Sequence, residues 1–225
     1  VVAQNAVELG GEAVTAGDLQ ADGAMALLLR DALLPNFVQT YEGDPAFVHC
    51  GPFANIAHGN SSVMADRIAL GCSDFVVTEA GFGSDMGAEK FFHIKAASSG
   101  QVPDCVVITA TVRAMKLHGG AFGAAAGKRP PPDLVAQCNA EAARTGAASN
   151  LARHVQNMRR FGAPVVVSVN VFPTDHDEEI AAVLAEAERA GAAAAVVSHV
   201  HSEGGRGGDK LASAVKEACA AHRAA

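Results

Sequence analysis

Short apolar, β-branched runs alternate along this chain with longer stretches whose apolar residues recur every three to four positions. That alternation is the pattern of a parallel sheet covered by helices on both faces. Runs at 46–50, 74–78, 104–109, 164–170 and 193–198 predict strands. Between and after them the spacing predicts helices over 62–70, 85–97, 147–161, 177–190 and 209–221. The segment 18–34 also reads as helix: Met25, Leu28, Leu29 and Leu33 share one face, Asp18 and Asp22 stand near its start, and Pro35 ends it. Residues 1–45 are expected to form a helical or connecting segment of the same or an adjacent domain, and 46–225 an α/β ligand-binding core. The Gly-, Ala- and Pro-rich stretch 119–132 reads as a loop rather than a linker, since regular patterns resume directly after it.

In open α/β sheets, ligands gather beyond the carboxyl ends of the strands. That rule brings 51–59, 79–85, 111–120, 171–175 and 199–208 to one edge, where polar, glycine-bearing loops predict a cleft. Arg113 and Lys116 follow a buried strand, and two cations in one short turn suit phosphoryl oxygens. The competing reading is an exposed helix start with solvated charges. His58, Asn60 and Ser61 come soon after Gly51-Pro52, a setting that aims backbone amides at a ligand; a loop histidine also serves as a plain structural hydrogen-bonder. Glu79 either orients a metal-bound water or ligand amine, or caps the next helix, and Asp85 reads as that helix's N-cap. Asn170 is followed by Phe172 and Asp175, a stacking face beside an acceptor. Phe82, flanked by Gly81 and Gly83, is a second loop aromatic. His199 and His201 lack a third ligand at a convincing spacing, so no metal site is expected; 204–208 reads as an anion-binding nest or a flexible turn.

Composition narrows the classes. With 49% hydrophobic residues over 225 positions the chain can fill a sizeable core, and with 5% aromatics and no Trp small aliphatic side chains must pack it. A net charge of -7 argues against a nucleic-acid partner. Cys50, Cys72, Cys105, Cys138 and Cys219 include no C-x-x-C pair, which points to reduced thiols rather than a disulfide framework or zinc site. No run approaches the roughly 20 apolar residues of a membrane span, and the first residues lack a signal peptide's charged start. A cytoplasmic location is expected, with an organelle as the alternative because the natural N-terminus is read as lying upstream.

Three blocks, 51–62, 78–85 and 110–120, carry a resemblance to the formate–tetrahydrofolate ligase family, also called formyltetrahydrofolate synthetase. The match continues almost end to end in the same order. It implies a doubly wound parallel sheet of the phosphate-loop (P-loop) nucleotide hydrolase type, and ATP-dependent ligation of formate to N10 of tetrahydrofolate through formyl phosphate. ATP, Mg²⁺ and tetrahydrofolate are then the implied ligands, with monovalent-cation activation and a homo-oligomer as family expectations. Within it Arg113, Lys116 and His58 become the catalytic candidates. Phe172 matches the phenylalanine that forms one wall of the folate pocket, His201 stands where a Trp commonly closes the other side, and Asp175, Phe82, Asn60 and Glu79 complete the ligand-binding set. Met115 replaces a usual Leu. No G-x-x-x-x-G-K-[ST] occurs; Gly127-Lys128 comes nearest but leads into Arg129-Pro130-Pro131-Pro132, which cannot open a helix around a phosphate. The chain is therefore expected to be a middle piece, truncated at the N-terminus, of a longer enzyme. The alternative is a catalytically inactive folate-binding or assembly fragment. A nicotinamide-dependent dehydrogenase is disfavoured, since no strand leads into G-x-G-x-x-G.

Overall fold

The computed structural model describes residues 6–9, 12–51, 57–123 and 129–224. Gly127-Lys128 and the 52–56 part of the first loop lie outside them. The chain forms two compact units, Val1–Glu79 and Ala80–Ala225.

In the first unit β1 (Ala6–Leu9) pairs antiparallel with β2 (Glu12–Thr15), and β3 (Asn36–Gln39) with β4 (Pro45–Val48). The helix expected over 18–34 is shorter: α1 spans Asp22–Leu29 and a 3-10 turn follows at Asp31–Leu33. Asp18 delays the start, because its carboxylate accepts from the Thr15 amide (2.8 Å) and hydroxyl (2.7 Å), holding that segment in a side-chain turn. The run at 46–50 joins no parallel sheet. It closes locally on β3 through a tight turn in which the Thr40 amide donates to Asp44 O at 2.8 Å and Phe37 meets Phe47 at 5.1 Å. Nor does 74–78 form a strand; Val77 is 94% exposed, so nothing is buried to drive pairing. Ser62 caps α2 (Val63–Cys72), accepting from the Ala65 amide at 3.0 Å.

The second unit holds the parallel sheet. Its helical run opens with π turns at Ser84–Ala88 and Phe91–Ala96 and closes with α3 (Ala97–Ser99), where Gly100 turns left-handed. Asp85 sits inside the first turn rather than at the N-cap, which is Gly83 in extended conformation. The next elements are β5 (Val106–Thr111), α4 (Val112–His118), α5 (Pro132–Ala136), α6 (Ala140–Gly146), a π turn at Ala147–Leu151, and α7 (Ala152–Arg159). They are followed by β6 (Val165–Asn170), α8 (Asp177–Arg189), β7 (Ala194–Ser198), α9 (Val200–Glu203), a 3-10 turn at Gly204–Gly208 and α10 (Asp209–Ala224).

The strand order is β5-β6-β7, with Val106 opposite Val165 and Val166 opposite Ala194. As the central strand, β6 is buried on both faces, which its Val-Val-Val-Ser-Val sequence suits. Val165, Val167 and Val169 pack with Val112, Leu151, Val155, Met158 and Val183 on one side; Val166 packs with Ala214 and Ala218 of α10 on the other. Helices α4 and α6 touch backbone to backbone: a Cβ on Gly119 would fall 1.8 Å from Ala142 O, and one on Gly146 1.9 Å from Met115 O. Larger residues would force the helix that carries Arg113 outward. Among the described residues no helix is long and apolar enough to cross a membrane.

Candidate active site

Thr111 ends β5 and also caps α4, its hydroxyl accepting from the Ala114 amide at 3.2 Å. The strand therefore runs straight into a helix where a loop was expected, and Arg113 falls in the first turn at the strand's carboxyl end. Its guanidinium lies 5.3 Å from the centre of the Phe172 ring, a cation–π distance. On the other strand ends, Phe172 and His201 bring their rings to 5.6 Å at a 45° tilt. The loops after β5, β6 and β7 thus meet in one cluster.

Asp175 shapes the Phe172 turn. Its carboxylate accepts from the Phe172 amide at 2.9 Å, and its own amide donates to Phe172 O at 2.9 Å. Burial pushes the Asp175 carboxyl above its ordinary range, and nearby Glu179 adds to that, against the Phe172 hydrogen bond and the charges of Arg113 and Lys116. Arg113 also lines a cavity of about 270 Å³ with Thr111, Ala114, Leu117, Phe122 and Pro130. A larger cavity of about 390 Å³ opens at the opposite, amino end of the sheet, between Gly162, Pro164 and Gly191. It contains none of the cluster's side chains.

Lys116 departs from the expectation of a cation facing the cleft. It is 1% exposed, and its ammonium donates to Val135 O (2.8 Å), Gln137 O (2.7 Å) and the Glu179 carboxylate (2.8 Å). Three partners use all three N–H donors. Glu179, 0% exposed, also accepts from the amides of Asn139 (2.7 Å) and His176 (3.1 Å). Burial alone would raise its carboxyl, but the Lys116 hydrogen bond and the two amides prevail and hold it below the ordinary glutamate range. Neither Glu179 nor Asn139 is among the candidates read from the sequence. A glutamate three residues past His176, at the start of a helix, is the signal that marks Glu179.

Phe82 is 64% exposed at a positive φ of 65°, a conformation uncommon outside glycine that concentrates at functional sites. The 204–208 stretch is a 3-10 turn, with buried Gly207 accepting from the His199 amide at 3.1 Å. In the first unit His58 and Glu79 are exposed, while half-buried Asn60 donates through its side-chain amide to Asp66 and, at 3.5 Å, to Thr78. There His49 bridges Ala32 O (2.9 Å) and the Ser62 hydroxyl (2.6 Å). Among the described residues no group of three or more His, Cys, Asp or Glu is placed to hold a metal ion.

The whole chain, residues 1–225, matches the family described as formate–tetrahydrofolate ligase. Curated relatives of that name include one from Saccharopolyspora erythraea, 52% identical over 92% of this chain and 36% of its own length. Another from Roseiflexus castenholzii is 54% identical over 94% of this chain and 37% of its own length, and one from Aeromonas hydrophila 50% identical over 96% and 37%. The chain spans little more than a third of the relatives it matches. With a match along its full length and half of its residues shared with such proteins, the chain belongs to the formate–tetrahydrofolate ligase family.

Proposed function

We propose that this chain supplies folate- and phosphoryl-facing parts of an ATP-dependent formate–tetrahydrofolate ligase, on an α/β core of the P-loop nucleotide hydrolase type. A formate oxygen attacks the γ-phosphorus of ATP, ADP leaves, and formyl phosphate forms. N10 of tetrahydrofolate then attacks the formyl carbon; phosphate departs with the electron pair of the broken C–O bond, and N10 loses its proton. Positioning and electrostatics carry both steps.

The observation that supports this reading is the cluster of Arg113, Phe172, His201 and Asp175 at three parallel strand ends. Arg113 is exposed and free to turn its guanidinium onto phosphoryl oxygens. Phe172 offers a stacking face to the pterin, and Asp175 an acceptor for its amino-pyrimidinone edge. A flat ring between two others needs about 7 Å, two layers of about 3.5 Å, whereas Phe172 and His201 stand at 5.6 Å. Exposed His201, on the four-residue helix α9, therefore swings aside to admit the ligand. Lys116 acts from inside the wall rather than by touching phosphate.

His58, Asn60 and Glu79 are assigned to ligand-facing roles in the first unit, and Phe82 to a second aromatic contact. Mg²⁺ enters the proposal as the companion of the ATP phosphates, and no step is assigned to a described residue holding it. Monovalent-cation activation, a homo-oligomer and a cytoplasmic setting accompany the proposal. The test is an assay of the full polypeptide with formate, ATP, Mg²⁺ and tetrahydrofolate. Formation of 10-formyltetrahydrofolate is expected; tetrahydrofolate binding without turnover would make the protein a folate binder instead.

A further inference from the structure

We propose that Glu179 is a positioning residue: it locks the helix carrying Arg113 to the loop carrying Phe172 and Asp175, and so sets the folate wall. Its carboxylate meets three segments at once. From α4 comes the Lys116 ammonium (2.8 Å), from the start of α6 the Asn139 amide (2.7 Å), and from the turn before α8 the His176 amide (3.1 Å). Lys116 extends the lock to the end of α5 through Val135 O and Gln137 O, and the His176 ring ties to Ala136 O at 2.9 Å. His176 directly follows Asp175, whose carboxylate fixes the Phe172 amide. A displacement of Glu179 therefore reaches Phe172 through two consecutive hydrogen bonds.

This arrangement exceeds what stability requires. A buried ion pair is often matched or bettered by apolar residues of similar volume. Here the carboxylate takes its two remaining hydrogen bonds from backbone amides at the bases of two different elements, which fixes where those elements begin. Precision at the site follows, since a misplacement of about 1 Å can cost about a hundredfold. The proposal rests on the reading of Phe172 as a folate wall.

The test compares three variants of the full polypeptide in steady-state assays. Lys116→Met/Glu179→Gln removes both charges and keeps one side-chain carbonyl, which can accept from the Asn139 or the His176 amide while the new NH2 faces the other and breaks that tie. It should raise KM for tetrahydrofolate about tenfold or more, the usual scale for the supporting partners of a ligand site, with KM for ATP within about twofold. His176→Ala removes only the exposed tie to Ala136 and is the milder variant should the double one not fold; a rise of about threefold is expected. Phe172→Ala is the reference. If it raises KM for tetrahydrofolate while the folded Glu179 and His176 variants leave it unchanged, the positioning role is refuted and the folate wall stands. A lower folded fraction with unaltered KM values would reduce Glu179 to a structural part. If Phe172→Ala has no effect, both readings fall.

Discussion

Two regions one helical turn apart on α4 put the same charge to opposite uses. Around Arg113 the protein is open: the guanidinium is exposed, beside an aromatic ring, with room to turn toward a ligand. Around Lys116 it is sealed, with every ammonium donor taken and no solvent contact to speak of. The difference is one of helical phase. Val112, Met115 and Lys116 share the buried stripe at i, i+3 and i+4, while Arg113 lies one position off it. In this fold a cation's place on the wheel decides whether it can meet substrate, more than its membership of a motif does.

The sharpest break of that comparison comes from truncating the sealed side. Lys116→Ala should destabilise the protein by about 3–5 kcal/mol, because it leaves the Glu179 carboxylate buried without its cation. Urea unfolding measures this, and a loss below about 1 kcal/mol would mean that water reaches Glu179. Arg113→Ala should do the reverse. Stability should stay within about 0.5 kcal/mol, as for exposed positions generally, while turnover falls about a hundredfold, the scale for losing one donor to developing charge. Unimpaired turnover would return Arg113 to the solvated surface.

Acid titration sharpens the contrast further. The Glu179 carboxyl is held below its ordinary range in the fold, so its contribution is present above the unfolded value, about 4.3, and disappears as pH falls through the folded one. Asp175 is shifted upward, so its contribution has the opposite sign: stability from that group is fully present at low pH and is lost as pH rises through its folded value. Glu179→Gln should therefore flatten the acid limb of the stability curve, and Asp175→Asn should steepen it. The smallest expected effect lies at the open site's rim. His201→Trp should strengthen tetrahydrofolate binding by up to about 1 kcal/mol, since indole offers more stacking area; weaker binding in calorimetric titration would show that the smaller ring is needed to open the slot.

The parallel core is legible in the sequence because burial on both faces leaves unbroken apolar runs: 104–109, 164–170 and 193–198 became β5, β6 and β7 within a few residues. The same logic misplaces 46–50, whose turn from Thr40 to Asp44 makes local antiparallel pairing available first. At the site, the rule of strand carboxyl ends is enough to bring Arg113, Phe172 and His201 together. The sealed pocket is harder to read. Glu179 receives two of its three partners from residues 40 and more than 60 positions away, and only its place at the third residue of a capped helix marks it. Lys116 could be read as buried from its helical phase alone, had the motif around it not suggested a ligand.

The central claim, that Phe172 forms a wall of the folate site, is tested most directly by calorimetric titration of tetrahydrofolate into the full polypeptide and its Phe172→Ala variant at constant pH. Taking base–aromatic stacking as the nearest analogue, the variant should bind more weakly by roughly 1–3 kcal/mol, with unfolding unchanged enough to leave the β6 core intact. Equal affinity in the two proteins would contradict the claim and assign the ring to packing alone.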